Sequence, residues 1–213
     1  MSDPTLPPSL VEGYRRFRHT SYRAERDRYQ QLAVEGQRPR VLVVACSDSR
    51  AAPETVFDAG PGELFVVRNV AAIVPVYEPD TRHHAASAAL EYGVLALGVE
   101  SIVIMGHGRC GGIAAAYDGA APLTATDFIG TWVAGLGDIV LELDPADRDD
   151  PDRARRRLEF RSVEASIRHL RTFPWIASRE LAGSLTLAGC WFDIALGELH
   201  RLEGDRWVPE APG

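Results

Sequence analysis

The 213-residue chain is 46% hydrophobic and 25% charged, with a net charge of −7 at neutral pH. That composition suits a single folded domain with an appended arm and excludes disorder. The acidic balance argues against nucleic acid or an anionic membrane as the main partner, because both require a basic footprint. All 23 basic residues are arginine, which removes lysine Schiff-base chemistry and the phosphate-binding lysine of a P-loop.

No run approaches the roughly 18 apolar residues needed to span a bilayer. Residues 1–10, with Pro4, Pro7 and Pro8, lack the apolar centre of a signal peptide. Three cysteines are too few for a disulfide framework, so a reducing, cytoplasmic compartment is expected.

Along the chain, Leu10, Tyr14 and Phe17 recur at helical spacing, as do Tyr22, Tyr29, Leu32 and Ala33, with Gly36 as a stop. Residues 1–39 therefore read as two helical pieces with narrow apolar faces. Such an arm suits another surface, with a partner subunit as one candidate.

Residues 40–213 form the second part. The run 41–45 (VLVVA) is what a strand buried on both faces requires, and 64–67, 102–105 and 185–188 repeat the pattern. Between them, 85–97 is alanine-rich and helical, closed by Gly98, and Gly111 opens another helix. Residues 144–157 read as an exposed loop running into a helix with a buried stripe of Phe160, Val163, Ile167 and Leu170, ended by Pro174. Strands alternating with helices predict an α/β fold with a mostly parallel central sheet flanked by helices.

Two loops follow buried strands: Cys46-Ser47-Asp48-Ser49-Arg50 and His107-Gly108-Arg109-Cys110-Gly111-Gly112. Ligands of open α/β sheets bind beyond the carboxyl ends of the strands. If the two strands are neighbours, Cys46, His107 and Cys110 make a Cys2His set for zinc, with a fourth position left for water. Arg50 beside Asp48 holds a carboxylate ionised. The pair can then orient a zinc-bound hydroxide, which exists at neutral pH because zinc lowers the pKa of bound water to about 7.

Taken singly, each feature has a plain structural reading: an inert thiol, a solvated imidazole, a loop salt bridge. Their joint arrangement is far rarer. Gly106-x-Gly108-x-x-Gly111 also matches a dinucleotide fingerprint. However, the following stretch 118–137 shows no clear strand ending in an acid, so nucleotide binding is not expected.

At these residues the sequence resembles the β-carbonic anhydrases. CSDSR at 46–50 and HGRCGG at 107–112 are similar to that family's two zinc motifs. PGELFVVRN (61–69), residues 83–107 and GCWFDIALGEL (189–199) are similar in texture, the last to a final strand and helix. The resemblance implies Cys46, His107 and Cys110 as ligands of one Zn2+ per subunit, and Asp48 with Arg50 as catalytic dyad. It also implies Gly111 as a backbone donor to bicarbonate. It further implies carbon dioxide and bicarbonate as substrate and product, and a homo-oligomer, dimer or tetramer, with the arm embracing a second subunit.

Some family members close the site by letting the aspartate ligate zinc. Those carry Trp and Gly where Val43 and Ala45 stand here, which favours the open type. Two departures are Ala72, where the family often has Asn, and Gly60, near which plant-like members have Gln. The alternatives are hydrolysis of carbonyl sulfide or carbon disulfide on the same scaffold, a non-catalytic zinc module, and a thiol-redox enzyme. Cys190 reads as a buried thiol, His83 and His84 as solvated, and Val74 and Tyr77 as site mouth or ordinary packing.

Overall fold

The computed structural model describes residues 5–80, 82–119 and 121–211. The chain divides into two compact units, Met1–Arg38 and Pro39–Gly213.

The first unit holds three helices where the sequence pattern predicts two pieces: α1 (Pro8–His19), α2 (Ser21–Ala24) and α3 (Arg26–Glu35). Proline at the first turn of α1, and Arg16, Arg18 and His19 in its last, suit the helix ends and the macrodipole. Phe17, Tyr22 and Tyr29 gather with ring centroids 5.2 to 5.9 Å apart. No residue of these helices is buried.

The second unit is built on six strands: β1 (Val41–Cys46), β2 (Leu64–Asn69), β3 (Ser101–His107), β4 (Thr186–Asp193), β5 (Glu198–Glu203) and β6 (Arg206–Pro209). Their spatial order is β2-β1-β3-β4-β5-β6. The first four pair in parallel, and β5 and β6 add an antiparallel hairpin at one edge. The sheet is thus mostly parallel, as its continuous apolar runs require.

Helices cover it: α4 (Pro53–Val56), α5 (Ala85–Glu91), α6 (Gly111–Asp118), α7 (Phe128–Val133), α8 (Gly137–Leu141), α9 (Pro145–Arg148), α10 (Pro151–Leu170) and α11 (Pro174–Leu181). Leu42, Val44, Ile102 and Ile104 face Leu90, Val94, Val163, Ile167 and Leu170 in the main core. Val43, Ala45, Met105 and Cys190 form the opposite cluster. The predicted helix over 85–97 is α5 followed by a π-helical segment, Tyr92–Leu97, which Gly98 closes at φ +72°.

Three expectations change. Pro174 does not end the long helix: α10 stops at Leu170, and Pro174 opens α11, where its missing N–H costs nothing. Residues 144–157 are largely helical, because Asp144 and Asp150 cap α9 and α10 immediately before Pro145 and Pro151. The final strand is followed by a hairpin, not a helix. Asp193 Oδ1 accepts from the backbone N–H of Ala195 and Leu196 and Gly197 adopts φ +71°, which turns the chain back as β5. Of the stripe on α10, Phe160 is only half-buried, stacked on Trp207 at 4.7 Å.

Candidate metal centre

β1 and β3 are direct neighbours, with Ala45 opposite Met105. Their carboxyl ends therefore open side by side. Cys46 is the last residue of β1, His107 the last of β3, and Cys110 the N-cap of α6. The potential ligand atoms of these three buried residues all lie within 4.8 Å of one another. Among the described residues no other such group of His, Cys, Asp and Glu occurs.

His107 Nδ1 lies 2.9 Å from the Gly108 carbonyl, so it donates there and leaves Nε2 as a bare lone pair. Nε2 is buried without a hydrogen-bond partner. A buried acceptor without a partner is costly, and a metal ion bound between it and the two sulfurs removes that cost. The donor set, two thiolates and an imidazole, fits zinc with one position open.

The sulfurs are 3.9 Å apart, within hydrogen-bond reach of each other. Donation from Cys110, with the backbone N–H groups of Asp48 and Ala71, lowers the Cys46 thiol against the effect of burial. The same interaction, with burial, drives Cys110 upward. Burial lowers the His107 imidazole, but Cys46, the Gly108 carbonyl and Asp48 together outweigh it and leave the group above its ordinary value.

Asp48 and Arg50 meet beside this cluster. Arg50 donates from Nε to Oδ1 at 3.0 Å, from Nη2 to Oδ2 at 2.7 Å and from its backbone N–H to Oδ1 at 2.9 Å. These hydrogen bonds hold the Asp48 carboxyl well below the usual carboxylate range. Nη2 also reaches the carbonyl of Arg109 at 3.3 Å, which ties the first loop to the second.

Gly111, the first residue of α6, has open space where a Cβ would stand. The other two fingerprint glycines have packing reasons: a Cβ on Gly106 would sit 2.7 Å from Val163 Cγ2, and one on Gly108 3.1 Å from Trp191. They are small because α10 and Trp191 come close, not to cradle a pyrophosphate.

Sequence reasoning missed three supports. Arg68 donates to the carbonyls of Cys46 at 2.9 Å and Asp48 at 2.5 Å, holding the first loop from β2. Ala71 directs its N–H at Cys46 Sγ at 3.4 Å, from a turn in which Ala71 and Ala72 adopt φ +66° and +54°. Glu159, buried on α10, contacts the Cys110 backbone. An arginine directly after the apolar run 64–67 was the available signal for the first. Glu159 was hidden in a run of charged residues.

Other residues fall away from the cluster. Val74 is fully buried in the main core, and Tyr77 packs on Phe173, so neither lines the site mouth. His84 pairs with Asp80 at 2.7 Å, and His83 is exposed. Cys190 is a buried thiol pushed up to about 12 by burial.

The carbonic anhydrase family profile matches residues 41–199, spanning both loops. The chain belongs to the β-carbonic anhydrase family. It is 34% identical to beta carbonic anhydrase 3 of Arabidopsis thaliana, over 92% of this chain and 76% of that protein. It is 35% identical to a carbonic anhydrase of Pseudomonas aeruginosa, over 92% and 87%. Among solved structures, the β-carbonic anhydrase CcaA superposes with a TM-score of 0.87 at 28% identity, covering 96% of this chain and 92% of that one. A tetrameric β-carbonic anhydrase of Sordaria macrospora follows at 0.75 and 27%, covering 95% and 98%. This carbonic anhydrase is therefore a carbonate dehydratase of the metal-dependent β class. No helix among its described residues is long and apolar enough to cross a membrane.

Proposed function

We propose that Cys46, His107 and Cys110 hold one Zn2+ and that the enzyme hydrates carbon dioxide reversibly with Asp48 and Arg50 in open, ready form. The observation that carries this reading is the bare, buried His107 Nε2 facing two sulfurs, beside a carboxylate already gripped by its arginine. When bound, zinc supplies positive charge that lowers the pKa of a coordinated water to about 7.

The protein's own residues do the rest. Arg50 keeps Asp48 ionised and fixes both its oxygens. Asp48 then accepts a hydrogen bond from the attacking oxygen and turns a lone pair toward the carbon. The Gly111 N–H, at the first turn of α6, donates to bicarbonate as negative charge gathers on its oxygens. The proton leaves to buffer. Because Arg50 already occupies both carboxylate oxygens, Asp48 is engaged away from the metal position, the arrangement expected of the open type. Zinc analysis tests the ligand assignment: about one equivalent in the wild type, and near none in Cys46→Ala or His107→Ala.

Residues 1–39 are proposed to embrace a second copy of the chain, giving a dimer or a tetramer, in a cytoplasmic enzyme. The unburied apolar positions of α1 and α3 support this reading. Removing residues 1–38 is expected to lower the number of chains per particle, taken as the light-scattering mass divided by the chain mass. An unchanged number of chains would refute the embrace. Hydrolysis of carbonyl sulfide on the same site is the second reading, and no feature of the structure favours it over carbon dioxide.

A further inference from the structure

Glu159 lies on the buried face of α10 with 5% of its surface exposed. Its Oε1 accepts the backbone N–H of Cys110 at 3.1 Å, and its Oε2 accepts the indole N–H of Trp191 at 3.0 Å. Burying a carboxyl among apolar residues is costly unless each oxygen finds a donor, and here each does. Burial still pushes the group up, against those hydrogen bonds. Both partners are donors, and a carboxylate is the side chain that offers two acceptors and no donor. A glutamine of the same shape presents one correct atom and one wrong one.

The position matters because of what Cys110 lacks. Its N–H precedes the hydrogen-bond ladder of α6, and the residue makes no side-chain cap of its own. Cys46 is steadied by the Ala71 N–H and by Arg68 on its carbonyl. On the Cys110 side, Glu159 holds the main chain. It also lines a cleft of about 790 Å³ that reaches Gly108, Arg109, Cys110 and Gly111. Of the three ligand candidates, Cys110 lines that cleft and Cys46 and His107 do not.

We propose that Glu159 is a positioning residue for the metal: its two oxygens brace Cys110 against Trp191 on β4 and set the direction of the Cys110 sulfur. The proposal rests on the metal-site reading above. It goes beyond the three ligands and the dyad by giving the loop a fixed rear support, as outer partners do at metal sites generally.

The test uses the full-length protein, purified with zinc and also reconstituted with Co2+, as wild type, Glu159→Gln and Glu159→Ala. Two readouts are taken: the rate of zinc loss to a chelator, and the visible and thiolate charge-transfer spectrum of the cobalt form. Glu159→Ala is expected to release zinc at least about tenfold faster. Glu159→Gln is expected to fall between it and the wild type, with a shifted cobalt spectrum in both. If Glu159→Ala fails to fold, the isosteric Glu159→Gln decides alone. Glutamine protein with wild-type release rate and spectrum, whatever its melting temperature, would overturn the proposal and leave Glu159 a packing residue. Wild-type protein that takes up no cobalt through its cysteines would instead defeat the metal-site reading itself, and the inference with it.

Discussion

Arg50 grips Asp48 through both carboxylate oxygens, Nε to Oδ1 at 3.0 Å and Nη2 to Oδ2 at 2.7 Å, while the same Nη2 reaches the Arg109 carbonyl between His107 and Cys110. One guanidinium therefore orients the carboxylate and fastens the two loops together. A planar fork does this; an ammonium on a flexible stem does not. Arg50→Lys is expected to keep the fold and the metal but to lose roughly tenfold or more of the carbon dioxide hydration rate. Kinetics on variant protein matched for zinc content check this, and a near wild-type rate would reject it.

The Asp48 carboxyl is lowered chiefly by hydrogen bonds from Arg50. A folded-state pKa below the unfolded value means that its contribution to stability is fully present above about pH 4 and is lost as pH falls through the folded value. Asp48→Asn is therefore expected to lessen the steepness of stability loss below about pH 4 and leave the slope at neutral pH unchanged. Denaturant titrations across that range measure it. Because Asp48 stays ionised throughout roughly pH 6.5 to 9, any rate change there belongs to other groups.

The turn beneath Cys46 holds two alanines in left-handed backbone, Ala71 at φ +66° and Ala72 at φ +54°. That conformation costs an L-residue roughly 1 kcal/mol relative to glycine. The turn persists because Asn69 bridges to both the N–H and the carbonyl of Ile73 at 2.9 Å, and Trp132 donates to the Val70 carbonyl at 2.8 Å. Ala71→Gly is expected to raise stability by up to about 1 kcal/mol, seen as a higher melting temperature with the metal content unchanged. A drop in melting temperature would mean that the Ala71 methyl group contributes more by packing than its backbone strain costs.

The parts that could be read in the sequence are those where local pattern and burial agree. β1 and β3 are apolar without interruption because both their faces are covered, and the chemical residues stand directly after them. The antiparallel edge was not legible: ELHRLE has few apolar residues to mark β5, and the return of β5 onto β4 depends on Asp193 turning the chain. Pro174 read as a stop because proline is compatible with both the end of one helix and the first turn of the next. Glu159 sits next to the apolar stripe of α10 with Ser162 and Ser166, three and seven residues on, also buried. That spacing put all three on the covered face. Which donors awaited the acid depended on β4 and α6 meeting there.

The central claim is that a metal held by Cys46, His107 and Cys110 works with Asp48 to hydrate carbon dioxide. Stopped-flow hydration with a pH indicator, on purified protein of known zinc content between about pH 6.5 and 9, tests it most directly. The account predicts a rate proportional to bound zinc, abolished with the metal in Cys46→Ala, and reduced at least about a hundredfold in Asp48→Ala at full zinc content. Zinc-loaded, folded wild-type protein without hydration anywhere in that range, or an Asp48→Ala variant as fast as the wild type, would contradict it.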